Sequence, residues 1–76
     1  MRVKLVFPEP LIREPVVARL VRLHDITPNI RRASIEDDIG WMVLDLDGSS
    51  DAVAGAVAWL REIGVEVDLL GDLLES

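Results

Sequence analysis

Two stretches of this chain repeat apolar residues at helical spacing, and each lies between runs in which apolar and polar residues alternate. That order constrains the fold more than any other feature, because a period of two and a period of 3.6 select different backbones. Arg2 to Phe7 alternates, with Val3, Leu5 and Phe7 on one face and Arg2, Lys4 and Val6 on the other. Pro8 and Pro10 close this first strand, since neither has an N–H to give to a ladder. Pro15 suits the first position of a helix, where its missing N–H would be unpaired in any case. Val16, Val17, Leu20, Val21 and His24 then follow one helical face, Arg19 and Arg22 fall on the wet side, and Asp25 to Pro28 end the helix.

The second half repeats the plan. A strand from about Asn29 to Glu36 turns through Glu36-Asp37-Asp38 and Gly40 into a third strand, Trp41 to Asp47. There Met42, Leu44 and Leu46 share one face while Trp41, Val43, Asp45 and Asp47 share the other. Gly48-Ser49-Ser50-Asp51 reads as a turn and N-cap, because a serine oxygen can accept from the unpaired N–H groups of the next turn. Val53, Ala56, Val57, Leu60 and Ile63 form the stripe of a second helix, which Gly64 ends in a left-handed conformation. Val65, Val67 and Leu69 alternate with Glu66 and Asp68 as a fourth strand, and the tail from Leu70 to Ser76 is too short to assign.

The order β-α-β-β-α-β predicts an α+β ferredoxin-like sandwich: a four-stranded antiparallel sheet with two helices on one face. Seventy-six residues make one domain, 1–76, with its core in about 2–69 and a short tail at 70–76. The other sheet face stays uncovered, and alternation assigns it Lys4, Val6, Ile30, Arg32, Trp41 and Val43. A part-apolar surface of that kind calls for a partner or a ligand.

Half the residues are apolar and the mean hydropathy is +0.30, which excludes a disordered chain. With no cysteine, disulfides, thiolate metal sites and cysteine nucleophiles are excluded together, and a cytoplasmic home is the expectation. No apolar run reaches the roughly 20 residues of a membrane span. The net charge of −6 is uneven: residues 1–38 hold seven Lys/Arg and six Asp/Glu, residues 39–76 one Arg and eight Asp/Glu. Such an acidic chain repels a phosphate backbone, and the sheet lacks the aromatic-rich strands of RNA-binding modules, so no nucleic acid is expected.

The candidates for chemistry fail one by one. Asp47, Ser49 and Asp51 have the opening spacing of a calcium loop, but Ala52 stands where its glycine belongs and Ala58 where its bidentate Glu belongs. His24 is the one histidine and reads as a helix-terminal residue at the core edge. Glu36, Asp37 and Asp38 read as a solvated turn rather than an acid/base pair. No catalytic residue, metal site or cofactor is therefore expected. Trp41, outward on the third strand, and Trp59, on the flank of the second helix, are the residues that suit either a partly covered core edge or a contact surface.

Asn29-Ile30-Arg31-Arg32-Ala33-Ser34-Ile35 resembles the second strand of the NIL domain, named for its Asn-Ile-Leu motif. The strand ending in Phe7, the Glu14-Pro15-Val16-Val17 helix start, the strand through Met42, Val43, Leu44 and Leu46, and Trp59 to Val67 follow in that family's order, so the resemblance covers 2–69. One departure stands out: Arg31 replaces the motif's Leu.

The resemblance implies a non-catalytic regulatory domain that senses methionine or a related sulfur amino acid near a homodimer interface. Other members of the family precede iron–sulfur ferredoxin segments. It implies that Asn29 binds ligand, its amide offering both a donor and an acceptor to an amino acid, although Asn29 equally suits a turn after Pro28. Ile30 and Arg32, expected on the same face, would line an apolar pocket and pair with a carboxylate. The alternative is an interaction module whose open face, through Trp41 and Val43, docks a transporter subunit or a ferredoxin-type protein without a ligand. On either reading the chain itself does not enter the membrane.

Overall fold

The computed structural model describes residues 1–36 and 38–71. The elements run β1 (Arg2–Phe7), α1 (Glu9–Ile12), α2 (Val16–Leu23), β2 (Thr27–Glu36), β3 (Ile39–Asp47), α3 (Ser50–Glu62) and β4 (Glu66–Gly71). The four strands form one sheet in the order β2-β3-β1-β4, with every neighbouring pair antiparallel. This is the interlocked double βαβ arrangement expected from the order of the sequence periods.

The helices cover one sheet face and the core lies between. Val3, Leu5 and Phe7 of β1, Leu44 and Leu46 of β3 and Val67 of β4 point into it. Val16 and Leu20 of α2 and Ala56, Val57 and Leu60 of α3 meet them from above. The alternation of β1 is therefore burial in every second residue, as its sequence requires. Ser49 caps α3, its hydroxyl oxygen accepting from Ala52 N–H at 3.1 Å, and Gly64 ends the passage at φ 104°, where a side chain would be strained.

Three local expectations are corrected. Pro8 and Pro10 do more than end β1: they open a single helical turn, α1, with Pro8 as its N-cap and Pro10 in its first turn where no N–H is needed. Pro15 is the N-cap of α2 rather than its first helical residue. Val21, placed on the apolar stripe of α2, is 47% exposed, and the fully buried part of that stripe is Val16 and Leu20. Strand β2 begins at Thr27 and tolerates Pro28 because it lies at the sheet edge, where one side of the strand makes no ladder bonds. The hairpin pairs Glu36 with Ile39, and Asp37 of the expected acidic turn lies outside the described residues, as do 72–76 of the tail.

Candidate functional site

The uncovered face of the sheet is built around one buried acid. Asp45 points away from the helices on β3 and is only 5% exposed, although no helix covers it. Two arginines bury it. Arg2, its neighbour across β1, donates from Nε to Oδ1 at 3.0 Å and from Nη2 to Oδ2 at 3.4 Å. Arg31 donates from Nε to Oδ2 at 2.7 Å from the opposite side. The hydrogen bonds from Arg2 first and Arg31 second hold the Asp45 carboxyl below its ordinary value of 3.8.

Arg31 reaches Asp45 because it is the extra residue of a bulge. The β2–β3 register runs Asn29↔Asp45 and Ile30↔Leu44, then resumes at Arg32↔Val43, Ala33↔Met42 and Ser34↔Trp41. One residue of β2 is left without a partner, and the pleat shifts by one. Asn29, Arg31, Arg32 and Ser34 consequently share the open face, whereas Ile30, paired with Leu44, faces the helix side and is 54% exposed at the edge. This corrects the placement of Ile30 beside Arg32: the bulge separates them onto opposite faces. Asn29 and Arg32, which unbroken alternation would set on opposite faces, are brought onto the same face by the bulge, both exposed.

Trp41 and Val43 lie half-buried on the open face, beside Val6 and Lys4 of β1. Lys4 Nζ sits 5.4 Å from the Trp41 ring centroid, a cation–π contact that lays its alkyl stem across the sheet. Beyond β1, Glu66 and Asp68 of β4 stand opposite Val6 and Lys4. The face is thus graded, with arginines toward β2, apolar side chains at the centre and carboxylates on β4.

Two concavities lie elsewhere. A groove of about 570 Å³ follows α3, floored by Leu46, Val57 and Leu69 with Arg61 at one end; the Arg61 guanidinium donates to Val67 O at 3.1 Å. A cleft of about 120 Å³ opens under the β2–β3 hairpin between Ile12, Val17, Ala33 and Met42, with Trp41 at its rim. Neither is lined by Asn29, Ile30 or Arg32. His24 packs against Trp59 at 5.8 Å between ring centroids, and its buried Nε2 has no hydrogen-bond partner among the described residues. The same residues contain no cluster of three or more metal-binding side chains.

The sequence left the Arg2–Asp45–Arg31 cluster unread. Its signal was a break in alternation: Ile30, Ala33 and Ile35 are spaced three and then two apart, which one strand face accommodates only with an inserted residue.

This geometry can be set beside known proteins. The NIL domain model matches residues 1–68. The chain belongs to the NIL domain family. Its relatives include methionine import ATP-binding proteins of Helicobacter hepaticus, 29% identical over 96% of the chain, and of Coxiella burnetii, 32% identical over 86% of it. A third, from Myxococcus xanthus, is 32% identical over 88%. The match falls in their C-terminal region, and the chain spans about a fifth of their length, 20% to 22%. The crystal structure of the C-terminal domain of an ABC transporter ATP-binding protein from Enterococcus faecalis shares the fold, with a TM-score of 0.78 at 20% identity, over 93% of this chain and 83% of that one. In this NIL domain no helix among the described residues is long and apolar enough to cross a membrane.

Proposed function

We propose that this NIL domain is a non-catalytic regulatory module that binds methionine or a related sulfur amino acid near a homodimer interface and acts on the ATP-binding subunit of a transporter. The observation that carries the reading is the match of nearly the whole chain to the C-terminal region of proteins described as methionine import ATP-binding proteins. Two features of the open face support it. Asn29 and Arg32 stand on one side of β2, offering an amide donor and acceptor and a guanidinium to the two charged ends of an amino acid. Both are exposed, with no wall from their own chain above them, so a site there is completed by a second surface.

The test is a calorimetric titration with L-methionine at a protein concentration that keeps a dimer together. Saturable heat that disappears in Asn29→Ala is the expected result. Silence toward methionine, homocysteine and other amino acids would overturn the reading.

The half-buried pair Trp41 and Val43 supports a second reading: a docking module that receives a transporter subunit or a ferredoxin-type protein on the open face and needs no ligand. Under it, Trp41→Ala or Val43→Asp weakens assembly while amino acids change nothing.

A further inference from the structure

The chain carries a net charge of −6, yet Arg2, Lys4, Arg31 and Arg32, four of its eight Lys and Arg residues, gather on one part of the open sheet face. One ladder row runs Asn29, Asp45, Arg2 from β2 across β3 to β1, and the next runs Arg32, Val43, Lys4. Arg31, left over by the bulge, lies between these rows. In an unbroken strand Arg31 and Arg32 would point to opposite faces, so the bulge is what turns two consecutive guanidinium groups to one side. Few carboxylates answer them. Asp68 is the ladder partner of Lys4 on β4, and Asp47, next along β3, lines the groove beside α3. Asp45 alone stands among the arginines.

Asp45 compensates only part of this charge. It accepts three hydrogen bonds, two from Arg2 and one from Arg31, and its single charge balances one of the two guanidinium groups. Arg31 gives it Nε alone, so both Nη groups of Arg31 are without a hydrogen-bond partner among the described residues, on a side chain 51% exposed. Arg32 is exposed and makes neither a hydrogen bond nor an ion pair among the described residues. The carboxylate also orients what it holds: a guanidinium tied down on one edge presents its other edge in a fixed plane.

We propose that Arg31 and Arg32, backed by Arg2, bind a doubly charged tetrahedral oxyanion, the chemistry shared by sulfate and phosphate, on the open face of the sheet. The planar fork of an arginine matches two oxygens of such an anion, and these charge-assisted bonds are stronger than neutral ones. A dianion neutralises the excess that Asp45 leaves, which a zwitterion of no net charge does not. The site goes beyond the amino-acid binding proposed above and does not require it. A few such bonds at an exposed surface correspond to a dissociation constant of about 1 mM.

The test is an NMR titration of the nitrogen-15-labelled 76-residue chain, observing backbone amides and arginine Nε–H groups. Sodium sulfate and sodium phosphate are added separately at about pH 7.5, above the second phosphate pKa of about 6, with ionic strength held by sodium chloride. Sodium nitrate is the singly charged control. Saturable shifts should appear at Arg2, Arg31 and Arg32 and not at Arg19 and Arg22 of α2. Arg31→Leu, which installs the residue of the Asn-Ile-Leu motif, should weaken binding about tenfold or more. Arg31→Lys, which keeps the charge and loses the fork, should weaken it about threefold. Circular dichroism confirms that each variant is folded. Saturation by either dianion supports the inference, and the tighter of the two identifies the source. Shifts that never saturate, that nitrate reproduces, or that are as large at Arg19 and Arg22 overturn it, as does unchanged affinity in Arg31→Leu. A chain silent to methionine that still saturates with sulfate keeps the anion site and removes the sensor, whereas methionine heat without a saturable anion response overturns the anion site alone.

Discussion

Two glycines that look alike in sequence should respond to alanine with opposite signs. Gly48 links β3 to α3, and its backbone is outside the left-handed region, so alanine brings no conformational strain. Space decides instead: a Cβ at 48 lies 2.8 Å from the Asp25 carbonyl oxygen and 2.9 Å from Ile26 Cδ1. Ile26 is 4% exposed and cannot swing aside, and the carbonyl belongs to the backbone, so the α2–β2 connection must move. Overpacking of this kind costs about 1–3 kcal/mol. The smaller unfolded-state entropy of alanine returns about 0.4–1 kcal/mol. Gly48→Ala should therefore be net destabilising, by up to about 2.6 kcal/mol on those figures.

Gly55 sits inside α3, where a Cβ meets only the His24 ring, Nδ1 at 3.5 Å and Cε1 at 3.8 Å, ordinary contacts. Replacing a glycine in a helix interior should gain about 0.8–1 kcal/mol. For a domain of this length each kcal/mol moves the melting temperature by about 4–8 °C. The two variants should separate clearly in urea unfolding followed by far-ultraviolet circular dichroism at one protein concentration. A Gly48→Ala midpoint at or above wild type, with an unchanged slope, would refute the steric reasoning. A Gly55→Ala midpoint below wild type would show that the imidazole has no room to give.

Other substitutions test the cap, the core and the buried acid. Ser49→Ala should cost about 0.5–2 kcal/mol and Ser49→Asp almost nothing, because either oxygen can accept from Ala52 N–H; equal melting temperatures for Ala and wild type would contradict the cap. Leu60, 0% exposed, should lose about 2–5 kcal/mol as alanine, a large part of the roughly 4–11 kcal/mol available to a chain this size, so the variant should unfold at low urea. The Asp45 carboxyl titrates lower folded than unfolded, so its contribution to stability is complete above its ordinary value of 3.8 and is lost as pH falls through the folded value. Asp45→Asn should be less stable than wild type at neutral pH and should show a shallower loss of stability on acidification below about pH 4. Parallel acid profiles for the two proteins would exclude this cluster as a source of acid sensitivity.

The element order, both principal helices and the core were legible because each rests on a periodicity that one chain states by itself. Val3, Leu5 and Phe7 are buried by the same alternation that identifies their strand. The bulge at Arg31 was not legible in that way, since a bulge is a relation between two strands and only the partner reveals which residue is left over. With it went the placement of Ile30 and the clamp on Asp45, both of which follow from the shifted register. The turn at α1 was missed for another reason: two prolines read as strand breakers, and the helical first turn is the one other place that tolerates them. Trp41 and Val43 were placed correctly, because β3 carries no bulge between them and the core-facing Leu44.

The bulge has a consequence for how the protein survives at high concentration. Strand β2 borders the sheet, and a bordering strand offers its unpaired amides to any extended chain that passes. Here that border is interrupted at Pro28, which has no amide hydrogen, and again at Arg31, where the spacing of the backbone groups slips by one residue and two guanidinium groups follow in succession. An incoming strand finds a continuous template for only a few residues before it must break step. Growth by strand addition, the route to fibres, is thereby discouraged along the edge with the longest strand.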